Sequence, residues 1–345
     1  IIAPDSKGVH TVGDLSPVIE LYHHMVKSRH FDDAWQLYDS RLRRPLYYEF
    51  CAYEIEVQLL SGLLRADHDI PRVHGTIDQT WVLIYLSMCY ERMGQLGAAL
   101  TCTEQAVNLN RKGGRQADLG SSLVALASVY KKLGQLESAR EASAQAVTIF
   151  DEIGNMNWFG ISHRTHGGLL ILCGDFAEAE RNLDLAESVY ARKPNQFTHG
   201  LARLMLHRTS LLEFQGDYSA ALGTAEQAYD IACRGYVESD EVEKESSPRR
   251  FWAVIRQFVG QLTGKGISST KVAASHLDSA YYKREATTAL YRTGYLQCIE
   301  GQPEEAQVNL EKALQSCRSV RLTGLEPDVL LALAKAHAAQ TQSKE

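Results

Sequence analysis

The chain has 345 residues, 45% of them hydrophobic and 23% charged, with only 8 prolines, a composition that buries a core along its whole length and excludes a disordered chain. Its formal net charge of -6 argues against a nucleic-acid partner, because neutralising phosphates needs clustered excess Lys and Arg. No run approaches the roughly 18 to 20 apolar residues needed to cross a bilayer, and the opening IIAPDSKGVH lacks the basic-then-apolar shape of a signal peptide; a cytoplasmic protein with no membrane partner is expected.

In chain order, residues 1–14 read as an N-terminal extension. Residues 15–78 read as a helical pair centred on Ala34, with Phe31 three residues before it and Leu21 and Tyr22 on its first helix. A further helix through YYEFCAYEIEVQLLSGLL and a polar link from Arg65 to Asp78 follow. One spacing then recurs: Gly94/Ala99/Ala106, Gly134/Ala139/Ala146, Gly174/Ala179/Ala186, Gly216/Ala221/Ala228 and Gly301/Ala306/Ala313. Twelve residues before the first Ala of each copy stands a small residue: Ser87, Ala127, Gly167, Thr209 and Gly294. Such a register is that of a helical hairpin whose helices cross so closely that the contact positions tolerate little beyond a methyl group. The Gly closes the first helix, since a residue without Cβ takes the left-handed cap conformation freely.

Residues 79–233 therefore hold three to four regular repeats of 40 to 42 residues, and residues 286–345 hold the last repeat and a capping helix from Asp328 to about Ala339. Between them, residues 234–285 are expected to carry an acidic loop (Glu238 to Glu245) and a degenerate repeat. Its first helix would start at Ser247 and Pro248, and Ala273 and Ala280 would mark its second helix. Nearly all helix, without a sheet, is the expected fold class.

This register resembles the tetratricopeptide repeat, with the signature Trp replaced by Leu83 and Leu123. The resemblance covers roughly residues 15 to 340 and implies an all-α, right-handed superhelix of antiparallel helix pairs. A narrower resemblance lies in DLSPVIELYHHMV, FDDAWQLYDSRL and PLYY near the start and in VRLTGLEPDVLLALAKAHA near the end. These stretches look like the repeat region of bacterial STAND-type signal-transduction ATPases, which implies a sensor arm that restrains an ATPase until a ligand docks. The chain opens without Met, as expected of a segment excised from something longer.

In such repeats the first helix of each pair lines the inner surface. Applied to this chain, the register points Trp81, Tyr85, Met88 and Glu91 into a groove, with Lys131 in the next repeat. Arg164 follows, then Arg203, His207 and Glu213, and finally Tyr291, Arg292 and Tyr295. Aromatic and Arg residues are common interface anchors, so a protein or peptide ligand is expected; packing between repeats is the competing role for Tyr85 and Tyr291. A chaperone-tail clamp is not expected, because Ile84/Met88 and Val124/Ser128 stand where its Lys and Asn would be.

Chemistry-bearing motifs are sparse. The Gly260 to Gly266 turn has three residues between its first glycines where a phosphate loop needs four, and Gly266 replaces the magnesium-binding hydroxyl. His163 and His166 lie near Cys173, a metal pair lacking further ligands; the alternative is core histidines satisfied locally. Seven cysteines without a C-x-x-C pair read as buried thiols in a reducing compartment. No Gly-framed nucleophile is present. The expected protein is a scaffold without cofactor, metal or catalytic site, a monomer or weak dimer in isolation, and either the sensor arm of a larger ATPase or a stand-alone adaptor.

Overall fold

A computed structural model describes residues 11–65, 71–192, 198–241, 280–320, 322 and 324–342. Among them there is no β-strand; a single isolated bridge joins Leu64 to Pro71. Helices α1 (Ser16–Lys27), α2 (Phe31–Leu37) and α3 (Tyr53–Ser61) build an N-terminal unit. Five helix pairs follow: α4 (Thr76–Arg92) with α5 (Leu96–Lys112), α6 (Gln116–Lys132) with α7 (Leu136–Ile153), α8 (Met156–Cys173) with α9 (Phe176–Tyr190), α10 (Thr198–Gln215) with α11 (Tyr218–Glu241), and α12 (Ala280–Ile299) with α13 (Pro303–Ser319). A last helix, α14 (Glu326–Gln342), covers the final pair.

The five register glycines all adopt the left-handed conformation, with φ between 74° at Gly94 and 84° at Gly174, and each ends a first helix. The paired alanines are all fully buried or within 1% of it. Contact across the pair is close enough that a Cβ at Gly294 would lie 2.6 Å from Leu310 Cγ and 3.1 Å from the Ala306 carbonyl oxygen. Ala127 and Ala139 meet in the same way in a shared apolar cluster at 0% exposure. Ala139→Leu is therefore expected to cost about 1 to 3 kcal/mol by overpacking, read as a shift in the urea midpoint at unchanged m-value; a neutral substitution would disprove the contact.

Three segments depart from the sequence expectation. The helix expected through residues 47–64 is interrupted: α2 runs on into π-helical turns at Tyr38–Leu42 and Arg44–Glu49. Pro45 has no N–H to donate in that stretch, and its carbonyl accepts from Phe50 N, five residues on, at 2.8 Å. Cys51, at φ 51°, then reverses the chain into α3. The acidic stretch expected as a loop starts inside α11, which continues through Glu241 because no proline breaks it before Pro248. Ala280 opens α12, the first helix of the last pair, and α12 packs directly on α11. The helix expected from Ser247, Ala273 and the Gly260 to Gly266 turn lie outside the described residues.

The N-terminal unit is held by buried tyrosines. Tyr22 donates to the Leu59 carbonyl at 2.6 Å, and Tyr38 donates to Glu56 Oε1 at 2.7 Å. Glu56 is wholly buried and also accepts from Cys89 Sγ at 3.3 Å. Trp35 fastens this unit to α4 through Asp78 Oδ1 at 2.9 Å.

Candidate ligand-binding trough

The first helices of successive pairs lie side by side, α4 on α6, α6 on α8, α8 on α10 and α10 on α12, so their exposed faces form one continuous wall. The chain also comes round on itself. Arg284 of α12 is 6% exposed, reaches Cys51 Sγ at 3.7 Å and lies over the Tyr53 ring at 5.5 Å. That contact, between residues far apart in sequence, brings the N-terminal unit against α12.

The inward residues named from the register divide into three groups. Trp81, Tyr85 and Met88 serve packing: Trp81 and Tyr85 rings are 5.5 Å apart, Tyr85 stacks on Trp35 at 6.0 Å, and Arg43 covers its face at 5.0 Å. Burial, partly countered by Arg43, pushes the Tyr85 hydroxyl up to about 12. Met88 sits against Tyr47, Tyr53 and Leu83 at the same junction. Tyr291 and Tyr295 stack at 6.2 Å, half-buried against the C-terminal core, with Lys335 Nζ 5.9 Å above Tyr295.

The second group consists of wall carboxylates already engaged. Glu91 takes Lys132 Nζ at 2.7 Å and Ser128 Oγ at 3.3 Å. Glu213 pairs with Arg292. Glu285, absent from the register-based set, meets Arg203 at 3.5 Å.

Basic side chains and buried histidines at the centre form the third group. Arg164, 5% exposed, donates through Nε to Tyr190 Oη at 3.3 Å. His207 lies flat against α8, where a Cβ at Gly168 would stand 2.5 Å from its ring. Burial, reinforced by Lys131, Arg164, Arg203 and Arg292, drives His207 far below its ordinary pKa. Lys131 is held down to about 8 by burial and then by Arg203, Lys132 and Arg164, against the opposing pull of Glu91. His199 is lowered by burial and then by Arg203, Arg164 and Arg92. These side chains from α4, α6, α8, α10 and α12 share one field.

Sequence reasoning placed Lys131 on the inner face without singling it out, and it missed Tyr190, Arg92 and His199. The signal for Tyr190 was present in two glycines inside helices, where they close no turn. A Cβ at Gly160 would come within 2.7 Å of the Tyr190 ring and one at Gly200 within 2.9 Å. Tyr190 of α9 thus passes between α8 and α10 and delivers its hydroxyl to Arg164.

His163 and His166 are engaged by protein groups. His163 Nδ1 meets Asn182 Oδ1 at 2.8 Å and Nε2 meets Asp151 Oδ1 at 3.0 Å, while His166 Nδ1 meets Ser143 Oγ at 2.8 Å. No group of three His, Cys, Asp or Glu side chains among the described residues is placed to hold a metal. Cys51, Cys89, Cys102 and Cys317 are buried thiols, as the sequence suggests, but Cys173 is exposed where α8 ends at Gly174, and Cys233 and Cys298 are half-buried. No helix of the described residues is long and apolar enough to cross a membrane.

The tetratricopeptide repeat family model matches residues 78–152. No curated protein matches the chain. Among solved structures, a Rap protein complexed with Competence and Sporulation Factor is similar over 96% of this chain and 88% of its own, with 13% identity and a TM-score of 0.53. A Signal Transduction ATPase with Numerous Domains from Pyrococcus horikoshii, carrying a tetratricopeptide repeat sensor, is similar over 94% of this chain and 40% of its own, with 12% identity and a TM-score of 0.54. This chain thus spans less than half of that ATPase. At these identities the likeness is one of fold: the protein is an all-α tetratricopeptide-type solenoid.

Proposed function

We propose that the protein is a non-catalytic binding scaffold whose inner wall takes a peptide or a peptide-like segment of a partner protein, and that it serves as the ligand-sensing arm of a larger STAND-type ATPase. The observation that carries the binding reading is the convergence of Arg164 and Arg203 on the buried His207 ring from neighbouring first helices, with Tyr291 and Tyr295 stacked on the next first helix, α12. Convergent Arg and aromatic groups on a rigid support make interface anchors, and a solenoid offers an extended concave face in place of a closed pocket. Support for the sensor role comes from the terminal sequence resemblance and from the array-bearing ATPase of the same fold. In that role, ligand docking would favour one of two states of the attached module, to the extent that it binds them unequally.

A second reading, a self-contained peptide receptor, draws on the likeness to the Rap protein complexed with Competence and Sporulation Factor, which spans 96% of this chain and 88% of that one. Both readings share the wall. Selection of a displayed random peptide library on the protein is expected to enrich clones whose affinity falls about tenfold or more in Arg164→Ala/Arg203→Ala, with helicity retained. Clones that bind the double variant as well as the parent would move the site to the outer face.

A further inference from the structure

A chain of net charge -6 has gathered its central cations where they face one another. Their natural counterions on the same wall are engaged elsewhere: Glu91 by Lys132, Glu213 by Arg292. Glu285 meets Arg203 at 3.5 Å, wider than a well-made charged hydrogen bond. Among the described residues no carboxylate pairs with Lys131 or Arg164. For Arg164 this matters most, because a guanidinium 5% exposed gives up water on most of its surface and recovers a single hydrogen bond to a neutral hydroxyl. Unpaired, poorly hydrated cations are costly, yet the fold holds this one firmly: Tyr190 is fully buried and gripped between Gly160 and Gly200, so Arg164 is set in place before anything binds.

We propose that the trough receives an extended acidic peptide, whose carboxylates pair with Arg164 and Lys131 and draw Arg203 from Glu285. This rests on the reading that the inner wall is the binding face. Arg203 is the strongest charge acting on Lys131, ahead of Lys132 and Arg164, so the cationic heads from α6, α8 and α10 lie close together on the wall. One carboxylate leaves part of this charge unanswered, whereas a peptide brings several carboxylates on one backbone.

The test uses a fluorescently labelled hexapeptide alternating Glu and Ala, its Gln-for-Glu counterpart, and anisotropy titrations on the whole protein. The acidic peptide is expected to bind at least tenfold tighter than the Gln peptide and to weaken as salt rises. Lys131→Gln, at a half-buried site, is expected to remove most of that preference. Tyr190→Phe keeps the ring between the glycines but frees Arg164, and is expected to reduce the preference about threefold without changing the melting temperature by more than a few degrees. Equal binding of the two peptides, or no binding of the acidic one, would overturn the proposal, as would a preference unchanged in Lys131→Gln. The trough reading itself fails separately, if library-selected peptides ignore Arg164→Ala/Arg203→Ala.

Discussion

Glu56→Gln is expected to stabilise the protein by about 2 kcal/mol at pH 8 and by almost nothing at pH 4. Glu56 has no exposed surface, and burial raises its pKa from 4.5 to about 7 even though hydrogen bonds from Tyr38 and Cys89 and the charge of Arg43 pull the other way. A carboxyl that ionises later in the folded than in the unfolded chain holds a proton that the unfolded chain has lost between about 4.5 and about 7. Stability therefore falls as pH rises through that window, and the whole penalty is present above it. A tenfold change in proton affinity is worth about 1.4 kcal/mol, which sets a ceiling of about 3 kcal/mol. Gln keeps the acceptor for Tyr38 and turns its amide toward the Cys89 sulfur, a weak acceptor, so less than the ceiling is recovered. Urea midpoints of the two proteins at pH 4 and pH 8 measure the difference, and a Gln variant less stable at pH 8 would show that Glu56 is ionised and properly solvated in the fold.

The helix pairs were legible because they depend on backbone sterics, which a sequence writes directly. A left-handed residue after a helix demands Gly, and a close crossing demands a small side chain, so Gly94, Gly134, Gly174, Gly216 and Gly301 with their alanines revealed both boundary and partner. The N-terminal unit was less legible. Pro45 and Cys51 solve a local backbone problem that has no repeat to compare with, and the tyrosines there carry period without register. The register assigns Trp81 and Tyr85 to a helix face, but it holds no information on what stands opposite. Trp35 and Arg43, from a different unit of the chain, fill the space in front of Tyr85. Tyr190 was hidden for a related reason: it belongs to a second helix, which the register assigns to the outer layer, and only the absence of side chains at Gly160 and Gly200 lets it pass inward.

Lys131→Met is expected to stabilise the protein at pH 7 by about 1 to 3 kcal/mol while removing most of its preference for acidic peptides. Burial and the charges of Arg203, Lys132 and Arg164 lower the Lys131 pKa from 10.5 to about 8, the reverse of the Glu56 case in group type and in window. Between about 8 and about 10.5 the unfolded chain keeps a proton that the folded chain has released, so stability rises with pH across that interval, and the cost is largest below about 8. Met has nearly the length of the Lys stem and no charge, and it relieves Arg203 and Arg164 of a like-charged neighbour. Urea midpoints for the parent and variant should differ most at pH 7 and converge near pH 10.5, the tyrosines and cysteines that titrate in that range being common to both. A docked carboxylate opposes the same repulsion, so the parent should also gain more stability from saturating acidic peptide at pH 7 than at pH 9.5. If Lys131→Met is instead destabilising at pH 7, the lysine is satisfied within the fold and is not held in readiness for a ligand.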